Sequence, residues 1–262
     1  MSKHLTDFIL HLADSTLILG QRNGEWCGHG PVLEQDIAIT NITLDLIGQA
    51  RSLYQYAAKL INEVSKLSES EVPPAEGFKA ASEDTLAYLR TEREFKNFLL
   101  VEQPNSDWGQ TILRQFLFST WQYYLYQQLK EKGSDTTLAA IAEKSLKEIS
   151  YHVRWSGEWV IRLGDGTAES KKRMAHAIQE LWPYTGELFL PAPYEKVAEV
   201  DFDKLKPAWF KKVSDVFNEA TLLVPQHVYM HTGGKTGTHT EHLGYMLAEL
   251  QYMQRSFPGC EW

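Results

Sequence analysis

An all-α fold, a bundle of long helices, is what the sequence predicts, and three observations predict it. Apolar residues recur at steps of three and four through most of the 262-residue chain, the period of a helix with one buried face. Glycine and proline clusters interrupt that period only at wide intervals, leaving room for several helices of more than about 20 residues. No segment shows the two-residue alternation of a half-buried strand. Long helices joined by short turns pack as antiparallel bundles, so seven or eight helices are expected in a single domain over 1–262.

The elements follow in order. Leu5, Phe8, Ile9, Leu12, Ser15, Thr16 and Leu19 mark a first helix ending near Gly20. The glycines of Arg22–Gly30 interrupt it, and Pro31 suits the first turn of a second helix reaching Leu67. Leu33, Ile37, Thr40, Leu44, Ile47 and Arg51 lie along one side of that helix, with Asn41, Asp45, Gly48 and Gln49 near its inner line. Two prolines, a glycine and three glutamates make 68–81 an exposed loop. A third helix capped by Ser82 or Asp84 is expected to reach Leu100 or Val101. Pro104 and Asn105 break the chain before Asp107–Lys132, which is dense in aromatics (Phe116, Phe118, Trp121, Tyr123, Tyr124, Tyr126) and stopped by Gly133. The next helix starts near Thr136 or Thr137 and ends at Gly164-Asp165-Gly166. Its inner line runs through Ile141, Ser145, Ile149, His152, Ser156, Trp159 and Leu163. Helices over Thr167–Leu190 (strained at Pro183), Pro207–Tyr229 (kinked at Pro225) and Glu241–Phe257 complete the chain, with irregular chain over 191–206 and a glycine-rich turn over 233–238.

Composition narrows the function. A net charge of −8 disfavours nucleic acid or an anionic membrane as the main partner. Cys27 and Cys260 are too few for a disulfide framework or a four-thiolate metal site. The N-terminus lacks a signal-peptide pattern and no apolar run approaches the ~20 residues of a membrane span. A reducing, cytoplasmic setting is expected.

A helical bundle is a common host for two irons held by Glu-x-x-His pairs on facing helices. The residues three before His4, His11, His29, His152, His176, His227, His231, His239 and His242 are Met1, Phe8, Trp26, Ile149, Arg173, Val224, Val228, Thr236 and His239. None is acidic. Glu148 lies four before His152 and off the three-residue phase. His152 is therefore expected to be a buried histidine with a hydrogen bond across the core. His227 and His231 (i, i+4) and His239 and His242 (i, i+3), with Glu241 as a base, have zinc-ligand spacing but no third fixed ligand. Gly233-Gly234-Lys235-Thr236-Gly237-Thr238 has the residue types of a phosphate loop without its spacing or preceding strand, and a tight inter-helix turn is the plainer expectation. Cys27-Gly28-His29 does not imply a catalytic pair.

Four segments together resemble one family: L-A-D-S-T-L-I-L-G-Q-R-N-G-E-W-C-G-H-G-P (Leu12–Pro31), L-D-L-I-G-Q-A-R (Leu44–Arg51), L-L-V-E-Q-P-N (Leu99–Asn105) and T-G-G-K-T-G-T-H-T-E-H-L-G (Thr232–Gly244). They resemble, in the same order, the C subunits of phenylacetyl-CoA epoxidases, multicomponent ring 1,2-epoxidases of aerobic phenylacetate breakdown. The resemblance implies a ferritin-like bundle with additional C-terminal helices. It also implies a structural, non-catalytic role without a cofactor in this chain. The implied partners are a homologous catalytic subunit that holds the di-iron centre and a reductase with NADPH, FAD and an iron–sulfur cluster.

Against that catalytic subunit, Asp45-Leu46-Ile47-Gly48-Gln49 takes the place of an Asp-Glu-Ala-Gly-His stretch, so Leu46 and Gln49 stand at ligand positions. Lys147–His152 takes the place of Lys-Glu-Glu-Ser-Phe-His, which keeps His152 and puts Ile149 where the ligand Glu would be. Thr16 replaces a first-helix Glu. The resemblance further implies a CoA thioester nearby. Arg93-Glu94-Phe95-Lys96-Asn97 is expected at its rim, with Arg93 and Lys96 toward phosphate and Phe95 toward adenine, and Lys196-Val197-Ala198 is a second candidate. The aromatic helices are expected to form the partner interface. Two other readings are a metal-dependent oxidase or hydrolase using His152 with Glu148 or the C-terminal histidines, and a stand-alone structural homo-oligomer.

Overall fold

Two long helical hairpins form the centre of the structure, a computed structural model that describes residues 2–67 and 80–260. Helix α1 (Ser2–Gly24) pairs with α2 (Leu33–Leu67), and α5 (Trp108–Lys132) pairs with α6 (Thr136–Gly164). Between the hairpins lie two short helices, α3 (Glu83–Tyr88) and α4 (Leu99–Glu102), and a 3-10 turn at Glu92–Glu94. Helices α7 (Ala168–Leu181) and α8 (Phe202–Glu219) pack on α5 and α6, and α9 (Glu241–Leu250) and α10 (Tyr252–Ser256) close the chain. No strand occurs among the described residues. The fold is a ferritin-like helical bundle with additional C-terminal helices. The expected loop over 68–81 lies, but for its last two residues, outside the described residues.

Helices α1 and α5 are the inner pair. α1 is buried continuously from Phe8 to Gly20 and α5 from Gly109 to Gln122, as expected of helices surrounded on all sides. Side-chain caps set the starts of α5 and α6: Asp107 accepts the Gln110 N–H and Asp135 accepts the Leu138 N–H. Gly133 ends α5 where a Cβ would come within 2.4 Å of the Leu129 carbonyl.

Several expectations need correction. Phe116, Phe118, Trp121 and Tyr126 of α5 are buried in the core rather than displayed to a partner; only Tyr123 and Tyr124 are half-exposed. The Leu33–Ile37–Leu44–Ile47 side of α2 faces solvent, because Ile39, Ile42, Leu46, Ala50 and Leu53 on the opposite side pack against α1. A helix with two apolar sides does not disclose by periodicity which one turns inward.

The helix expected from 82 to 101 is instead α3, a 3-10 turn and α4. Its backbone donors find distant acceptors: the Lys96 N–H donates to Asp14 Oδ2 at 2.8 Å and the Leu99 N–H to Glu187 Oε2 at 2.9 Å. Helix α8 ends at Glu219 rather than near Tyr229. Thr221 adopts a left-handed φ of 55° and the Leu222 N–H reaches back to the Phe217 carbonyl at 2.8 Å, a Schellman-type stop. Pro225 therefore lies beyond the helix, in irregular chain. α7 stops at Leu181, before Pro183, and the last helix breaks at Gln251, whose amide donates to the Ala87 and Arg90 carbonyls.

Asp14 ties α1 to this irregular region. Its buried carboxylate takes the Arg90 guanidinium, the Tyr54 hydroxyl at 2.6 Å and the Lys96 N–H. Arg90→Met leaves the Asp14 charge buried without its cation and is expected to lower unfolding free energy by about 3–5 kcal/mol in urea denaturation. A loss under about 1 kcal/mol would show that Tyr54 and the Lys96 amide alone satisfy Asp14.

Candidate functional site

The bundle interior brings together all five positions at which the resemblance places altered iron ligands or their remnant. Leu46 of α2 and Ile149 of α6 are fully buried and carry no donor atom. The Thr16 hydroxyl donates to the Leu12 carbonyl of its own helix at 2.7 Å. The Gln49 amide donates to Glu148 Oε2 at 2.8 Å and accepts from the Gln122 amide at 3.1 Å. His152 is buried, and its Nε2–H donates to Asp45 Oδ2 at 2.9 Å. Among the described residues no three His, Cys, Asp or Glu side chains converge as a metal-ion ligand set. Two aliphatic side chains, a hydroxyl committed to its own helix and an amide committed to Glu148 do not fit a di-iron centre, which needs carboxylates at such positions.

The expected hydrogen bond of His152 across the core is present, and its acceptor is the half-buried Asp45. His152 is bonded to Asp45 rather than to Glu148, whose Oε2 accepts the Gln49 amide. The role of Gln122 was not visible in the sequence, where it is one polar residue in an aromatic helix.

The first stretch expected at a CoA rim touches the turn that carries the second. The Lys96 ammonium lies 3.6 Å from Asp7 and 5.4 Å from the centre of the Tyr194 ring, in the 3-10 turn Pro193–Ala198. Arg93, Glu94 and Lys196 are exposed, Lys96 and Val197 are half-buried, and Ala198 is buried. Phe95 offers no face for adenine: it is buried under the Arg90 guanidinium, whose central carbon stands 4.4 Å from the ring centre. Asn97 is also buried and donates to Glu102 Oε2 at 2.9 Å.

The glycine-rich turn binds an anion, but the anion belongs to the chain. Glu187 Oε1 accepts the Gly233 N–H at 2.8 Å while Oε2 accepts the Leu99 N–H. Burial pushes the Glu187 carboxyl above its ordinary value, against the pull of these amides and Lys235. Lys235 is buried and donates to both Glu195 oxygens at 2.9 Å and to the Leu190 carbonyl; burial lowers its pKa and Glu195 opposes the shift. The turn holds two glycines in close contact. A Cβ on Gly234 would come within 2.2 Å of the Asn97 carbonyl, and one on Gly237 within 2.3 Å of the Arg93 carbonyl. This is an internal lock between the 93–99 segment and the C-terminal arm. Glu187 and Glu195 carried no signal in the sequence, since their remote partners, Gly233 and Lys235, lie about 40 residues or more away.

The C-terminal histidines do not converge. His227 is exposed at a bend in the chain, with a left-handed φ of 55°. His231 stacks on Tyr184 with ring centres 5.0 Å apart. His239 is buried, with Nδ1 3.0 Å from Glu102 Oε2 and Nε2 3.0 Å from the Phe95 carbonyl. Both ring nitrogens therefore face acceptors, an arrangement that favours the imidazolium. Burial alone would lower the His239 pKa, but Glu102 and the Phe95 carbonyl outweigh it and raise the value above 6.5.

The family model described as Phenylacetic acid catabolic protein matches residues 1–262. A protein of Escherichia coli (strain K12), described as the C subunit of 1,2-phenylacetyl-CoA epoxidase, is 48% identical over 263 residues, covering 98% of this chain and 99% of that protein.

The raised pKa of His239 sets a pH dependence. Its stabilisation is complete below about pH 6.5, the unfolded value, and is lost as pH rises through the higher folded value. Urea unfolding between about pH 6 and 8 is expected to show a decline in stability that His239→Gln flattens. An identical slope in both proteins would refute the assignment.

Proposed function

Since the chain belongs to the Phenylacetic acid catabolic protein family, we propose that it is the structural, non-catalytic subunit of a multicomponent phenylacetyl-CoA 1,2-epoxidase. In this reading it stabilises and positions a homologous subunit that holds the di-iron centre, which a separate reductase with NADPH, FAD and an iron–sulfur cluster serves. The observation that carries the reading is the state of the ligand positions: Leu46 and Ile149 are aliphatic and buried, and Thr16 and Gln49 are hydrogen-bonded within the chain. No helix of the described residues is long and apolar enough to cross a membrane. Cys27 and Cys260 are exposed and free, which suits the reducing cytoplasm we propose for it.

We assign this chain a part of the rim around the CoA moiety, at Arg93, Lys96 and Lys196. The support is that Arg93 and Lys196 are exposed and that Lys96 lies against Tyr194 of the Pro193–Ala198 turn, which carries the second candidate stretch. Phosphate groups would be met by these side chains without Phe95 or Asn97.

Two experiments test the reading. Omitting this chain from the reconstituted complex is expected to abolish epoxidation, while His152→Ala lowers its stability by about 1–3 kcal/mol and leaves the iron content of the complex unchanged. Stoichiometric iron in the purified chain, with a di-ferric absorption band, would overturn the structural role. For the rim, Arg93→Met with Lys96→Met is expected to raise KM for phenylacetyl-CoA about fivefold, roughly the 1 kcal/mol of an exposed charge, with kcat unchanged. An unchanged KM would remove these residues from the rim.

A further inference from the structure

We infer that the outer face of the first half of α2 is the surface on which the di-iron subunit docks, through an apolar helix of that subunit bordered by lysine and arginine. This rests on the pairing read above and adds to it the surface and the chemistry of the occupant. Helix α2 has two apolar sides. The inner one packs on α1. On the outer one Leu33 is 70% exposed, Ile37 51%, Leu44 61% and Ile47 43%. Their spacing of four, seven and three keeps them on one side of the helix for about 22 Å at 1.5 Å per residue. Isolated exposed aliphatics are ordinary on a protein surface; a row of them along one helix is what a partner helix covers.

Relief and charge select the occupant. The row stands as a ridge between two hollows. One of about 190 Å³ is lined by Asp45, Gly48, Gln49, Lys144 and Glu148. The other, of about 180 Å³, is lined by Ile47, Arg51, Tyr54, Glu83 and Asp84. A Cβ on Gly48 would meet nothing within 4 Å, so the ridge drops into the first hollow and leaves room for an incoming side chain. The border carries Glu34, Asp45, Glu83, Asp84 and Glu148 against Arg51 and Lys144, and Arg51 is already paired with Glu83 at 3.4 Å. A second copy of this chain would bring the same acidic border, whereas a partner with a basic border neutralises it. The first hollow is also where the Glu148–Gln49–Gln122 chain of hydrogen bonds meets solvent, so the docked subunit would seal that mouth.

The test uses the full chain and the full di-iron subunit, co-expressed and then titrated. Ile37→Asp with Leu44→Asp is expected to leave the helicity and melting temperature of the isolated chain unchanged, because both sites face water, and to weaken binding at least about 30-fold. The milder Leu44→Gln is expected to weaken it in the same direction. A control pair, Tyr245→Asp with Tyr252→Asp, changes exposed aromatics of α9 and α10 and is expected to leave binding intact. Glu83→Lys with Asp84→Lys is expected to slow association, most at low salt; an unchanged rate would overturn the basic border. Binding of the α2 variants at wild-type affinity would overturn the docking surface and leave the pairing standing. Failure of the wild-type chain to bind the di-iron subunit would sink the pairing itself. Homodimerisation of the wild type that Ile37→Asp with Leu44→Asp dissolves would make a second copy the occupant, against this assignment.

Discussion

Buried carboxylates that accept backbone N–H groups hold the irregular half of this molecule in place. Asp14, Glu102, Glu187 and Glu195 are the acidic side chains fully inside the described structure. Each accepts at least one amide that no helix uses: Lys96 on Asp14, Thr240 on Glu102, Leu99 and Gly233 on Glu187, Ala192 on Glu195. Burying a carboxylate is expensive unless charge and lone pairs are both answered. Here the answers come from Arg90, His239 and Lys235 as well as from the amides. The clamps join segments remote in the chain, so residues 90–102, 187–198 and 231–240 keep their shapes only together. Three of the four stretches that carry the family resemblance supply Asp14, Glu102, Lys235 and His239 to these clamps.

This explains which parts of the fold were legible. The long helices were, because their instructions are local: period, an Asp cap at 107 or 135, a glycine stop at 133. α6 begins and ends where its sequence says. The stretch from Ser82 to Val101 was not, because its apolar spacing is compatible with a helix while the acceptors that pull its amides away sit on α1 and at Glu187. The candidate rim failed at Phe95 for a related reason. An aromatic between basic residues reads as a stacking platform, yet Arg90, five positions earlier, takes its face inside the protein.

The interior seam between α2 and α6 follows from the same economy of polar groups. Aliphatic side chains at 46 and 149 offer no ligand atom, but polar neighbours remain on both helices. Asp45 accepts from His152, and Gln49 links Glu148 to Gln122. Deleting Asp45 would strand the buried His152 ring without an acceptor, whereas Asp45, one third exposed, can turn to water. The residue that looked most like a remnant of catalysis, His152, thus has Asp45 as its acceptor at the edge of the bundle.

These polar pairs also shape the outside. Asp45, Gln49, Lys144, Ser145 and Glu148 stand between α2 and α6 and line an open hollow, so these helices meet far less closely than either hairpin's own pair. A bundle whose seam is closed by apolar contact would have drawn Leu44 and Ile47 toward it. With the seam held by hydrogen bonds instead, α2 gives its best apolar side to α1 and its second apolar side to water. The exposed ridge and the open hollow are therefore two consequences of one arrangement, hydrogen-bonded polar pairs in place of apolar contact between α2 and α6.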